Sequence, residues 1–182
     1  MSEKDRKPHL LLRFLNQTNL TVTSLTACFI LYTRSAGVAY FAAGAVTCSL
    51  TVKVLKHILR QPRPDPIHPS RKKRTYGMPS THSATITYFA VYIPLACAIL
   101  PMHPSIKPSE SAMRRIPPAI VIPWAMLIVA SRVWLGHHTW PQVAVGCSYG
   151  VAFAALWFKL WTEGLNDYGV VVEDWFASMI MS

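Results

Sequence analysis

The two histidines His82 and His138 are the side chains of this sequence best suited to catalysis. Each lies in a polar stretch, at residues 56–82 or 131–142, between long apolar runs. A neutral imidazole can attack phosphorus at physiological pH, and a second imidazole can be protonated at the same pH. The pair therefore offers a nucleophile and a general acid, and acid help of this kind typically contributes about 10²–10⁴ in rate.

Cationic and hydroxyl side chains in the same two stretches suit a phosphate group. Phosphoryl transfer needs positive charge around the equatorial oxygens of the transferred group. Arg63 and Arg132 offer planar donors for those oxygens, and Lys56 offers a point charge. Ser80 offers a hydroxyl donor beside the backbone N–H groups that would open a helix. The pattern indicates a phosphate pocket.

The composition indicates a membrane rather than water as the main solvent. The chain has 182 residues, 52% of them hydrophobic and 14% charged, with a net charge of +10. Soluble domains carry about 25% charged residues. The basic residues crowd into polar loops beside apolar runs, which favours anionic lipid or a phosphorylated substrate over nucleic acid. The four cysteines lie in apolar runs without a C-x-x-C pair, so a zinc site is not expected.

Five apolar runs predict an all-α, polytopic membrane bundle of about five transmembrane helices. Four of them approach the roughly 20 residues that cross a bilayer, and the first is short and marginal. They lack the period-2 alternation of a membrane barrel, and a soluble helical bundle is the less favoured alternative. The predicted spans are Leu20–Thr33, Ser35–Leu55, Ser83–Met102, Ile116–Leu135 and Val143–Trp161.

The spans divide the chain into three segments. A polar, basic segment at 1–19 precedes a membrane domain at 20–161, and an acidic tail at 162–182 follows it, with an amphipathic piece around Trp175–Met181. Five crossings place the end of the second span, the start of the third, the end of the fourth and the start of the fifth on one side. This topology brings six polar residues to one membrane surface: Lys56, Arg63, Ser80, His82, Arg132 and His138.

Three motifs in these stretches resemble the signatures of the type 2 phosphatidic acid phosphatase (PAP2) superfamily. The first, K-x6-R-P, reads Lys56 to Arg63-Pro64, and the second, P-S-x-H, reads Pro79 to His82. The third, S-R-x5-H-x3-D, reads Ser131-Arg132 to His138 but has Gln142 in the last place. Their order and spacing over residues 56–142 make the resemblance specific, whereas one motif alone is weak.

The resemblance implies a PAP2/haloperoxidase-like helical core and a residue for each step of phosphate hydrolysis. His138 would be the nucleophile that forms a phosphohistidine, and His82 would protonate the leaving group and then activate water. The phosphate would be held by Lys56, Arg63, Ser80, Ser131 and Arg132. Neither a metal nor a cofactor is expected.

Gln142 departs from the superfamily pattern, where an aspartate orients the nucleophilic histidine. A carboxamide oxygen can still accept a hydrogen bond from the ring and fix its tautomer, but it brings no full charge to an imidazolium. The stretches Tyr76–Ser80 and Ser131–Val143 resemble the dolichyl-diphosphatase branch, in which glutamine is usual here. The resemblance thus implies a polyprenyl diphosphate substrate.

Alternatives remain for substrate, role and location. In a second hypothesis, the substrate is a different lipid phosphate, such as phosphatidate or a sphingoid phosphate. In a third, the chain is a catalytically silent phospholipid-binding protein, because Gln142 replaces the aspartate of the motif. His137 is interpreted as a neighbour of the nucleophile, and Arg71–Arg74 as a solvated loop facing lipid headgroups. The resemblance implies a lumenal site in the endoplasmic reticulum, whereas the Lys/Arg distribution favours the cytosolic side. Oligomeric state is left open.

Overall fold

A computed structural model describes residues 18–64, 75–101 and 110–181, and all regular structure within them is helical. The prediction of an all-α bundle is therefore confirmed. The positions of 1–17 and of the basic run Arg71–Arg74 lie outside the described residues. The six α-helices are α1 (Thr18–Thr33), α2 (Ala36–Leu59), α3 (Thr81–Ile99), α4 (Glu110–Trp134), α5 (Trp140–Leu160) and α6 (Asn166–Met181).

Four stretches of the described helices are long and apolar enough to cross a membrane. They are Ala36–Leu59, Thr81–Ile99, Arg114–Trp134 and the stretch Trp140–Trp175, which contains a kink at Gly164. α1 is shorter, and its apolar part covers only Ser24–Thr33, in agreement with the marginal first span that the sequence predicts. Many of the large apolar side chains of these helices are exposed, as expected of helices whose solvent is lipid.

Helix ends differ from the predicted spans by up to six residues, and two of the differences matter. α2 continues four residues beyond the predicted Leu55 and ends at Leu59, followed by Arg60, whose φ of 48° is left-handed. Lys56 is therefore held on a helix rather than in a loop. In the acidic tail, helix covers Asn166–Met181 rather than only Trp175–Met181, after a kink at Gly164, where φ is 136°.

α3 is the central helix and packs most closely against α4 and α5. Small residues on α5 allow the contact with α3, because a Cβ on Gly146 would lie 2.7 Å from the Ser80 carbonyl oxygen. The buried side of α3 presents Tyr88 and Tyr92 to Phe41 of α2. This tight packing fixes the beginnings of α3 and α5 relative to each other, and both carry predicted site residues.

Candidate active site

The site forms where the end of α2, the beginning of α3 and the α4–α5 turn meet. The Ser80 N–H donates to the Gln142 carbonyl oxygen over 3.1 Å, and Gln142 Nε2 donates to the Pro62 carbonyl oxygen over 2.9 Å. These contacts join α5 both to α3 and to the segment after α2. The polar groups there are buried: the exposed fraction is 7% for Lys56, 1% for Arg132 and 4% for His138.

A tight turn between α4 and α5 places His138 next to Arg132. The backbone N–H groups of His137 and His138 both donate to the Arg132 carbonyl oxygen, over 3.0 and 3.2 Å. Gly136 allows the turn because its φ is 64°, a value that glycine adopts without a steric cost. The turn buries His138 and leaves His137 half-buried, so the structure distinguishes the two neighbours.

The side chain of Gln142 contacts the ring of His138. Gln142 Oε1 lies 3.3 Å from His138 Nδ1 and accepts from the Thr139 N–H over 3.3 Å, as in a helix capping box. At its other end, Gln142 Nε2 donates to the Pro62 carbonyl oxygen and, over 3.2 Å, to Gln61 Oε1. Because Oε1 can only accept, this contact is a hydrogen bond when His138 carries its proton on Nδ1, and Nε2 then keeps a lone pair.

This surrounding suits an amide better than the aspartate of the superfamily motif. Gln142 Nε2 supplies both protons that point at the Pro62 carbonyl oxygen and at Gln61 Oε1. A carboxylate in the same place would set an oxygen against the Pro62 carbonyl oxygen with no proton between them, and that unpaired arrangement is costly when buried. Glutamine at position 142 therefore fits its hydrogen-bonding partners, and its presence in place of aspartate does not mean that the motif has lost its function.

The pKa of His138 is lowered to about 3. Burial is the largest cause, and the charges of Arg63 and Lys56 lower the pKa further. Hydrogen bonds with the Gln142 side chain and the Gly77 backbone act in the opposite direction but do not outweigh these effects. The imidazole is thus neutral at physiological pH, the form that a nucleophile needs.

Ser80 combines two functions at the start of α3. As the N-cap, its Oγ accepts from the N–H and the hydroxyl of Ser83, over 3.4 and 2.9 Å. Both contacts use Ser80 Oγ as the acceptor, which leaves its own proton for an incoming oxygen. The N–H groups of the first turn of α3 point toward the same place and add a partial positive charge there.

The two arginines are held by neighbouring oxygens. Arg132 Nε and Nη2 donate to Ser131 Oγ over 3.2 and 3.0 Å. Arg63 Nε donates to the Thr75 carbonyl oxygen over 3.0 Å, and its Nη2 donates to Thr75 Oγ1 over 2.9 Å. Burial lowers the pKa of Arg63, but a guanidinium keeps its charge in proteins. Both therefore remain fixed cations.

The predicted residues are thus brought to one end of the bundle, although the roles assigned to them stay predictions. His82 lies in the first turn of α3, two positions after Ser80, and is half-buried. Ser131 is fully buried, and its Oγ donates to the Ile128 carbonyl oxygen over 2.7 Å. In the described ranges, no three His, Cys, Asp or Glu side chains form a group that could hold a metal ion, and metal independence likewise stays a prediction.

Sequence reasoning missed the residues that support the site. Gln61 and the Pro62 carbonyl hold Gln142, and Ser83 holds Ser80. Gly77 is required next to Gln142, because a Cβ there would lie 2.5 Å from Gln142 Nε2. Only Gly77 could have been noticed in the sequence, as a glycine three residues before Ser80. The other residues act through contacts across the fold, which motif spacing does not predict.

Comparison with known proteins identifies the family of this chain. A sequence model described as the PAP2 superfamily matches residues 33–164. Dolichyldiphosphatase 1 of Rhinolophus ferrumequinum is 29% identical over 91% of this chain and 70% of that protein. The Mus musculus protein of the same name is 32% identical over 67% of this chain. This match covers 52% of the mouse protein, so the chain spans only about half of its length.

Two further matches come from other parts of the same group. Lipid phosphate phosphatase epsilon 1, chloroplastic, of Arabidopsis thaliana is 27% identical over 84% of this chain and 51% of that protein. The crystal structure of a transmembrane PAP2 type phosphatidylglycerolphosphate phosphatase from Bacillus subtilis superposes with a TM-score of 0.65. The superposition covers 88% of this chain and 80% of the bacterial chain at 24% sequence identity. It supports the assignment of the helical fold.

Proposed function

Because the chain belongs to the PAP2 superfamily, we propose that this membrane phosphatase removes the terminal phosphate of a polyprenyl diphosphate, with dolichyl diphosphate as the natural example. The observation that carries the proposal is the buried, neutral His138, whose Nδ1 faces Gln142 Oε1 and whose pKa responds to Lys56 and Arg63. The glutamine that distinguishes the dolichyl-diphosphatase branch is thus the residue that sets the histidine tautomer.

The reaction proceeds in two steps through a phosphohistidine. In the first, the His138 Nε2 lone pair attacks the terminal phosphorus while the bond to the bridging oxygen breaks. The bridging oxygen keeps that electron pair and takes a proton from His82, and the polyprenyl monophosphate leaves. In the second, His82 takes a proton from water, the water oxygen attacks phosphorus, and the P–N bond breaks to restore the Nε2 lone pair.

The fixed cations stabilise the charge that this reaction develops. Lys56, Arg63 and Arg132 are placed around the end of the bundle where His138 lies, and the Ser80 hydroxyl adds a donor. Donors that are already held need no reorganisation during the reaction, and the low-dielectric surroundings strengthen their effect. The polyprenyl tail would lie among the apolar side chains that the helices present to lipid.

A second candidate keeps the reaction and changes the lipid. The Arabidopsis thaliana relatives are named lipid phosphate phosphatases and match over 84% and 74% of this chain, which favours broader specificity for phosphatidate or a sphingoid phosphate. We place the enzyme in the endoplasmic reticulum with a lumenal site by analogy with the dolichyl-diphosphatase branch.

The test is phosphate release by the purified protein in detergent with EDTA present. Wild type should release inorganic phosphate from a polyprenyl diphosphate, and His138→Ala should reduce the rate to background because the nucleophile is lost. His137→Ala is the matched control, since it removes the neighbouring imidazole, which has no role in the proposed mechanism, and it should retain most of the activity. Full activity in His138→Ala would refute the assigned nucleophile.

A substrate panel at equal mole fraction in detergent distinguishes the remaining possibilities. Preference for the polyprenyl diphosphate supports the first proposal, whereas equal or faster turnover of phosphatidate or a sphingoid phosphate supports the second. Tight binding of lipid phosphate without any turnover would support a silent binding protein. Loss of activity in EDTA, with recovery on adding a divalent cation, would refute the metal-independent mechanism.

A further inference from the structure

We propose that Ser131 is a positioning residue, which holds the Arg132 guanidinium in place for the phosphate and does not bind the phosphate itself. The motif resemblance implies a phosphate-binding serine at this position, whereas the contacts of the Ser131 hydroxyl are with other groups of the protein. The positioning role rests on these contacts, and its effect on the rate also rests on the proposed function.

The proton and the oxygen of the Ser131 hydroxyl are both engaged within the protein. Ser131 Oγ donates to the Ile128 carbonyl oxygen over 2.7 Å, and it accepts from Arg132 Nε and Nη2 over 3.2 and 3.0 Å. The directions of these hydrogen bonds are fixed, because a carbonyl oxygen can only accept and a guanidinium can only donate. Ser131 is also fully buried, so a phosphate oxygen would have to displace Ile128 to receive the hydroxyl proton.

The two contacts with Ser131 anchor one edge of the Arg132 guanidinium. The group is planar and has five N–H donors, and the Nε proton and one Nη2 proton lie along the same edge. Both of these donors point to the single oxygen of Ser131. The two Nη1 protons and the second Nη2 proton are therefore directed away from Ser131, and they are the donors that a phosphate oxygen can receive.

The same pair of residues is tied to the proposed nucleophile. The Arg132 carbonyl oxygen accepts from the His138 N–H over 3.2 Å, so the backbone of Arg132 positions the histidine while its side chain is held by Ser131. Because Ser131 and Arg132 are consecutive residues of α4, the guanidinium and the imidazole keep a fixed relation to each other. A donor that is held in advance needs no reorganisation when charge develops on the phosphate.

The Ser131 hydroxyl can be removed without breaking α4. The Ile128 carbonyl oxygen lies inside this helix, where the backbone N–H four residues later also donates to it. Ser131→Ala therefore leaves that carbonyl oxygen with a donor, and alanine is the residue that favours a helix most. The change falls on Arg132, whose Nε and Nη2 protons lose their acceptor and whose guanidinium is free to turn.

A double-mutant cycle separates positioning from direct contact with the phosphate. Phosphate release per folded molecule is measured in detergent for wild type, Ser131→Ala, Arg132→Lys and the double variant. Ser131→Ala should lower kcat/KM about tenfold, near the lower end of the range for a hydrogen bond to a charged group. In the Arg132→Lys background the same change should cost about twofold or less, because lysine has no planar edge to be held. Ser148→Ala is the control, since Ser148 is exposed on α5, and it should keep the activity of wild type.

Two results of the cycle would overturn the proposal. An equal loss from Ser131→Ala in both backgrounds would show that the two residues act independently, as expected if Ser131 contacts the phosphate directly. Unchanged phosphate release per folded molecule in Ser131→Ala, with or without a lower Tm, would show that the hydroxyl has only a structural role.

A spectroscopic measurement tests the positioning without a substrate. In protein labelled with ¹⁵N-arginine, the Nη protons of Arg132 should give separate NMR signals in wild type, because the held guanidinium does not rotate about its Nε–Cζ bond. The signals are assigned by their loss in Arg132→Lys, and Ser131→Ala should average them. Unchanged signals in Ser131→Ala would overturn the positioning role. Averaged signals in Ser131→Ala, in a protein whose wild type releases no phosphate, would support the positioning role and refute the proposed function instead.

Discussion

The two ends of the helix bundle are built in different ways. α2 carries Tyr40 near its beginning and Lys56 near its end, 16 residues and about 24 Å apart along the helix. At the Lys56 end, buried polar groups contact each other through hydrogen bonds. At the Tyr40 end, aromatic rings stack: the Tyr40 ring centroid lies 4.9 Å from that of Trp157 and 4.7 Å from that of Trp161.

Hydrogen bonds at the aromatic end are reciprocal and join the same two helices twice. The Tyr40 hydroxyl donates to the Trp157 carbonyl oxygen over 3.0 Å, and Trp157 Nε1 donates to the Tyr40 carbonyl oxygen over 3.1 Å. At the polar end, each donor or acceptor fixes the direction of one group, as Gln142 does for His138. We infer that the packing of the aromatic end stabilises the bundle, whereas the buried polar groups of the other end lower its stability but orient the side chains of the site.

The comparison predicts that a charge removed at the polar end lowers activity far more than stability. Lys56→Met should reduce kcat/KM for the lipid phosphate by about tenfold to a hundredfold, the range of a hydrogen bond to a charged group. The variant should also raise the pKa of His138, because the charge of Lys56 lowers it. The pH dependence of kcat/KM reports that pKa in the free enzyme.

The direction of the pH effect follows from which form of His138 reacts. Protonation removes the Nε2 lone pair, so activity falls as the pH drops through the pKa of His138. Wild type, with that pKa at about 3, should keep its nucleophile through mildly acidic pH, and Lys56→Met should lose activity at a higher pH. Lys53→Met is the control, one turn earlier on α2 and exposed, and an equal loss there would refute the special role of Lys56.

The sequence was sufficient for the parts of the site that depend on helix order. Span counting places the end of α2, the start of α3 and the α4–α5 turn on one side, and motif spacing identifies His138 rather than His137. Spacing does not predict which carbonyl oxygen receives the Gln142 amide, because the contact with Pro62 joins residues 80 positions apart. Such contacts depend on side-chain rotamers and on the packing of α3 against α5.

The aromatic end was not predicted, for a related reason. Trp157 and Trp161 lie near the end of an apolar run, a pattern that indicates an interfacial anchor. Their stacking on Tyr40 needs α2 and α5 to approach closely, and this depends on small residues such as Gly44, where an added Cβ would overlap Trp157 Nε1. A local pattern of apolar residues does not predict which small residue of one helix contacts which aromatic ring of another.

Overpacking beside the aromatic end should lower stability and leave the chemistry intact. A Cβ on Gly44 would overlap the Tyr88 hydroxyl and the Trp157 indole, so Gly44→Ala should cost about 1–3 kcal/mol. For a chain of this size, that corresponds to a fall in Tm of roughly 2–12 °C. Thermal unfolding in detergent measures the fall, and phosphate release per folded molecule should be unchanged.

Gly37→Ala is the matched control for Gly44→Ala. It places the same methyl group on the same helix, but its nearest neighbour is 3.3 Å away, so a small shift relieves the contact. Its Tm should fall much less. If Gly44→Ala instead lowered kcat at an unchanged Tm, the two ends would be coupled and the division of tasks would be wrong.

The smallest expected effect concerns the acidic tail at the aromatic end. The Glu173 carboxylate of α6 accepts from the Ala36 N–H, the first of α2, where a negative charge is favoured by the helix dipole by about 0.3–1 kcal/mol. Glu173→Gln keeps an acceptor and removes the charge, so it should lower the Tm by roughly 1–4 °C, and Glu173→Ala should lower it further. Added salt should reduce the difference between wild type and Glu173→Gln, because it screens the charge. A Tm equal to that of wild type at low salt would show that only the acceptor matters, and a loss of phosphate release at an unchanged Tm would mean that the tail acts on the site at the other end of the bundle.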